Sequence, residues 1–167
     1  MSVQELKRLE KNIEDWKEQI AGARDALVLT EPSQRARIKL QIKDLRNELY
    51  SFEQQKWDLL AEIAKGEAIA DDEAQIIIAE IVAEEGAIAA NPPDDASAEV
   101  LELLVKILSK LNEPDKPAAA KLKGAISMLP PFVSLTYEAE LDTENTVRKY
   151  FPTFGRWTKE AVSRLKK

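Results

Sequence analysis

Neither cysteine nor histidine occurs anywhere in this sequence of 167 residues. That removes thiol nucleophiles, imidazole bases, disulfides, iron–sulfur ligation and nearly every zinc site. Glycine is scarce as well, and the 5 glycines are too scattered to build a loop that cradles phosphates. No apolar run approaches the roughly 18 residues of a membrane-spanning helix. The N-terminus lacks the charged segment and apolar core of a secretory signal. These absences predict a soluble, cytoplasmic chain that acts by contact, with no enzymatic activity, no catalytic residues, no cofactor, no metal and no small-molecule substrate.

What is present favours helix: 44% of the residues are hydrophobic and 32% are charged. The formal net charge of −6 conceals a segregation. Residues 1–66 are balanced, residues 67–142 carry −11, and residues 143–167 carry +5. The acidic middle repels nucleic acid, so no nucleic-acid partner is expected. The short basic end suits phosphates, lipid headgroups or the acidic middle itself.

Apolar residues at Leu6, Leu9, Ile13, Trp16, Ile20, Ala23 and Leu27 alternate steps of three and four, the spacing of a heptad seam. Thr30-Glu31-Pro32-Ser33 interrupts it, because proline has no amide hydrogen and Ser or Thr can cap a new helix. A second seam follows at Ile38, Ile42, Leu45, Leu49, Phe52, Lys56, Leu59 and Ile63. So short a linker makes the helices antiparallel neighbours. The seams then pair around a turn centred between Pro32 and Ser33, setting Leu27 against Ile38, Trp16 against Leu49, Ile13 against Phe52 and Leu6 against Leu59. Each such pair joins an a position to a d position. Residues 1–66 are therefore predicted to form an antiparallel coiled-coil helical hairpin with arms about 38 Å long at ~1.5 Å per residue.

Three details qualify that seam. Gly22 interrupts a good helix and points to a close neighbour or a local bend. Lys56 on the seam reads either as a stem snorkelling toward Glu5 or Glu53 or as a residue that sets the register. Tyr50, Trp57, Leu60 and Ala64 form an apolar stripe off the seam. That stripe needs cover, either from the chain's own C-terminal half or from a partner.

Residues 67–167 are predicted to be mainly helical. Asp71-Asp72-Glu73 mark a helix start, and Ile77, Ile78, Ile81 and Val82 recur at helical spacing, although the β-branched run Ile76–Ile78 also suits a buried strand. Gly86 and Asn91-Pro92-Pro93 close that element. Asp94 or Asp95 caps the next, whose apolar residues between Val100 and Leu111 cover more than half its circumference and mark the centre of a second core. A further helix runs from Ala118 to Met128, and Pro130-Pro131 stops it. Residues 132–141 alternate apolar and polar side chains and are predicted to be one strand, a minor β component. Asp142 and Thr143 cap a short helix to about Tyr150. Pro152-Thr153 opens a basic C-terminal helix with Phe154, Trp157, Ala161 and Leu165 on one side and Arg156, Lys159, Arg164, Lys166 and Lys167 available to the other.

The stretch Arg37 to Arg46 and the segments Leu129-Pro130-Pro131, Tyr137 to Asn145 and Lys149-Tyr150-Phe151-Pro152-Thr153-Phe154 resemble accessory modules of cyanobacterial signalling and defence-type multidomain proteins. In those proteins similar segments adjoin pentapeptide-repeat or NACHT-type nucleotide-binding domains. The resemblance covers most of the chain, brings no catalytic motif with it, and implies an adaptor-like role.

The functional expectation is a protein-interaction or oligomerisation module whose partner is another protein or a second copy. Its candidate contact residues are Tyr50, Trp57, Leu60, Phe154, Arg156, Trp157 and Lys159. The alternative is a membrane-surface module using the basic C-terminal helix, with Phe154 and Trp157 as interfacial anchors. Carboxylates alone carry any enzymatic reading: Glu84 with Glu85, or Glu138, Glu140 and Asp142 on one strand face. The ordinary role of such a strand face is to meet solvent.

Overall fold

The computed structural model describes residues 2–66, 68–128, 130–138 and 141–166, with the side chains of Ser2, Phe154, Ala161, Val162, Arg164, Leu165 and Lys166 not described. The described residues are mainly helical. They comprise α1 (Ser2–Leu29), α2 (Pro32–Gly66), α3 (Asp71–Ala90), α4 (Ala98–Leu111), α5 (Ala118–Ile126), α6 (Pro130–Glu138), α7 (Thr143–Tyr150) and α8 (Pro152–Lys166). Two compact units are distinguished, residues 1–56 and 57–167, so the division falls inside α2.

In the first unit α1 and α2 lie antiparallel. Trp16 stacks on Phe52 with ring centroids 6.2 Å apart, and Lys17 Nζ lies 3.9 Å from Glu53 Oε1. Both contacts sit about one turn toward the open end from the partners a turn-centred register assigns. The displacement follows from side-chain direction, since each side chain leans toward its own helix's N-terminus. Across an antiparallel pair the Trp16 ring therefore leans one way and Phe52 the other, and they meet between levels. Leu6, Leu9, Ile13, Ile20 and Leu49 are buried.

The break between the arms comes earlier than the numbering implied. Thr30 and Glu31 form it, and Pro32 is the first residue of α2, where its missing amide hydrogen costs nothing. Gly22 has no close neighbour: a β-carbon built there meets nothing within 4 Å.

The second unit begins with the end of α2, where Trp57, Leu60, Ala61, Ile63 and Ala64 are buried. Helix α3 packs on α4, α5 and α8; α4 also meets α5 and α6, α6 meets α7, and α7 meets α8. Ile81, Leu104, Ile107, Leu111, Leu122, Ile126, Phe132 and Phe151 are fully buried. Each contributes about 1.5–3 kcal/mol by leaving water. Phe132 and Phe151 meet edge to face at 5.0 Å. Helix α3 continues through Gly86 to Ala90, with Ile76–Ile78 helical throughout.

Capping contacts fix the short elements. Ser97, not Asp94 or Asp95, accepts the Val100 N–H at the start of α4. Asp142 accepts the Asn145 N–H at the start of α7. Asp71 Oδ1 accepts the Ala119 N–H of α5 from a distant part of the chain, at 3.2 Å. In the turn before α5, Asp115 adopts a φ of 65°, a region its short polar side chain tolerates.

The predicted strand at 132–141 is corrected: residues 130–138 are helix α6, 139 and 140 lie outside the described residues, and no strand occurs among the described residues. Phe132, Val133 and Thr136 share a buried helical face as readily as Val133, Leu135 and Tyr137 alternate, so so short a segment satisfies both periods. The prolines decide between them. Pro130 and Pro131 occupy the first turn of α6, where no amide hydrogen is needed, and so start a helix instead of stopping one. Thr136, buried in mid-helix, donates its hydroxyl to Val133 O at 2.8 Å and lies 2.7 Å from the Thr143 hydroxyl. Its polar group is thereby satisfied without a strand partner.

Candidate interaction surfaces

The hairpin tip combines a fixed backbone with exposed aliphatic side chains. The Thr30 hydroxyl donates to Ala26 O, and the Thr30 N–H donates to Leu27 O. The Gln34 N–H donates to Glu31 O at 2.9 Å, and Arg35 Nε donates to Thr30 O at 3.3 Å. These bonds hold a short break that turns Val28 and Leu29 outward, 76% and 89% exposed; Leu40 on α2 is 60% exposed. None of the three belongs to the seam. Residues 24–43 carry Arg24, Arg35, Arg37, Lys39 and Lys43 against Asp25 and Glu31, a balance of +3.

Helix α3 supplies a surface of opposite sign. Its 20 residues hold six carboxylates and no basic residue. Ile76, Ala79, Ala83 and Ala87 share an exposed face with Asp72 and Glu80. Ile76 is 64% exposed. Among the described residues α3 buries the side facing α4, α5 and α8 and leaves this mixed apolar and acidic face to solvent.

The opposite side of α3 holds α8 by a polar clasp. Glu85, fully buried, accepts the Thr153 N–H at 2.9 Å and so serves a donor in the first turn of α8. Glu84 accepts the Thr153 hydroxyl at 2.7 Å and pairs with Arg156 at 2.9 Å. The Thr153 hydrogen bond and then Arg156 hold the Glu84 carboxyl below its ordinary value. Lys149 and Asp95 pair at 3.1 Å, which lowers the Asp95 carboxyl and raises the Lys149 ammonium.

The residues singled out from sequence fall into different environments. Trp57 and Leu60 are buried within the chain, and Tyr50 is half-buried. Trp157 is buried, Arg156 is exposed but engaged with Glu84, and Lys159 is exposed. The Phe154 side chain lies outside the described side chains. Lys56 is half-buried, while the buried polar residue of the hairpin is Glu53, paired with Lys17.

Of the carboxylates considered together, Glu138 ends α6, Asp142 caps α7 and Glu140 lies outside the described residues. Among the described residues no cluster of three acidic side chains is placed to hold a metal, and no helix is long and apolar enough to cross a membrane. No known protein family, curated protein or solved structure matches the chain.

Sequence reasoning overlooked Val28, Leu29 and Leu40, although the signal was there. The test that singled out Trp57, an apolar residue off the seam, applies equally to all three.

Proposed function

We propose that this chain is a non-enzymatic, adaptor-like protein-interaction module, and that the tip of its hairpin makes the contact. The observation that carries this reading is the exposure of Val28, Leu29 and Leu40 at one end of the α1–α2 pair, ringed by basic residues. Exposed aliphatic side chains on a hydrogen-bonded turn are preorganised, so little ordering entropy is lost when a partner covers them. Trp157 faces inward and Arg156 is engaged, which weighs against a membrane reading built on α8.

The test is affinity capture from source-cell extract, comparing the wild-type chain with a Val28→Ser, Leu29→Ser, Leu40→Ser variant of equal thermal stability. Wild type is expected to retain a stoichiometric protein that the variant loses. Recovery of the same proteins by both would show that the tip does not make the contact.

A further inference from the structure

We propose that the hairpin tip of one copy docks on the exposed face of α3 in a second copy, so that this chain associates head to tail. The proposal rests on the interaction reading above and names the partner for the tip. Charge decides it. Tip against tip brings +3 onto +3 across residues 24–43. Two α3 faces would likewise set the Asp72 and Glu80 carboxylates of one copy against those of the other, with no basic residue on the helix to offset them. Tip against α3 is the pairing that joins opposite charge, and like-charge pairings are penalised at contact.

The apolar content matches as well. Val28 and Leu29 stand 76% and 89% exposed in the tip, and Ile76 stands 64% exposed in the acidic face. Around Ile76 the exposed residues Ala79, Ala83 and Ala87 are small, so a protruding pair of aliphatic side chains can approach the helix backbone. The flanking Asp72 and Glu80 would meet Arg24, Arg35 or Lys39, all exposed.

Such a contact uses two different patches and is heterologous. It leaves an unused tip at one end and an unused α3 face at the other, so it propagates unless the geometry closes a ring. The area is modest and the charges are exposed, so association is weak and sensitive to salt.

The arrangement makes a prediction that no symmetric dimer shares, and it is tested on full-length chains by sedimentation velocity. Two variants are needed, Val28→Ser with Leu29→Ser to disable the tip, and Ile76→Arg to disable the face. All three positions are exposed, and unchanged melting confirms that both variants fold. Wild type should grow in mass with concentration at low salt, with association at least about tenfold weaker at roughly 0.5 M salt, where the screening length is only a few ångströms. Each variant alone should stay monomeric. Mixed in equal amounts, they should form a one-to-one dimer and nothing larger, because one intact tip meets one intact face.

A wild type that stays monomeric throughout would overturn the proposal. So would growth by either variant alone, or a mixture that fails to pair. If the tip captures a different protein while the chain itself stays monomeric, the interaction reading survives and the head-to-tail proposal does not.

Discussion

Trp16 on α1 and Phe52 on α2 stack with planes 28° apart and centroids 6.2 Å apart, a contact that, together with the short break at Thr30 and Glu31, marks the register of the hairpin. Aromatic pairs of this geometry contribute about 0.5–1.5 kcal/mol beyond the area they bury. A double-mutant cycle on Trp16→Ala and Phe52→Ala, read by urea unfolding, should return a coupling of that size. Additive effects would show that the rings do not interact in solution.

Glu85 is the buried acceptor for the first turn of α8. Glu85→Ala should lower stability by about 1–3 kcal/mol, the cost of leaving a buried donor without its partner. Glu85→Gln should cost less, since an amide oxygen still accepts the Thr153 N–H. Equal losses in chemical denaturation would show that the hydrogen bond is not what α8 depends on.

Two helical glycines should respond in opposite ways to alanine. At Gly22 a β-carbon meets nothing within 4 Å, so Gly22→Ala should stabilise by about 0.8–1 kcal/mol through helix propensity. At Gly155 it would lie 3.2 Å from Val147 Cγ1. Gly155→Ala should therefore gain less or lose stability. Melting temperatures that rise equally would contradict the packing of α7 on α8.

Acid should weaken the second unit in a defined direction. Hydrogen bonds to Thr153 and Arg156 hold Glu84 below its ordinary value of 4.5, and those to Lys116 and Lys110 hold Glu113 below 4.5. The hydrogen bond to Lys149 holds Asp95 below 3.8. A carboxyl lowered on folding adds stability that is fully present above its unfolded value and is lost as pH falls through its folded value. The stability these three groups contribute should therefore be constant from neutrality down to the ordinary carboxylate values and be lost below them. Arg156→Gln, which removes a Glu84 partner, should flatten that decline; an unchanged profile would count against the clasp.

Long periodic elements were legible, and so were short helices announced by a cap or a proline, such as α7 behind Asp142 and α5 behind Pro117; the segment after Leu129 was not. The seam from Leu6 to Leu27 repeats often enough that only a helix satisfies it, and a hairpin followed from the linker length alone. At Phe132 to Tyr137 the segment was too short for period two and period 3.6 to separate, and Pro130-Pro131 reads as a stop until its position in the first turn of α6 is seen. The contact surface divided in the same way. An off-seam position says that a side chain needs cover, but whether the chain supplies it is a tertiary fact. Trp57 and Leu60 are covered, whereas Val28, Leu29 and Leu40 are not. The Glu85 to Thr153 bond joins residues 68 positions apart, beyond the reach of any local pattern.

If association belongs to the exposed tip, it should separate from the stability that the buried Trp57 supplies. The most direct measurement follows thermal melting and partner retention together on two single variants, Leu29→Ser and Trp57→Ala. Leu29→Ser should melt like wild type and lose the partner. Trp57→Ala should lower stability by about 3–5 kcal/mol, as truncation of buried aromatics does, and should retain the partner wherever it remains folded. The reverse pattern, with Leu29→Ser binding normally and Trp57→Ala stable but unable to bind, would assign the contact to Trp57 and not to the tip.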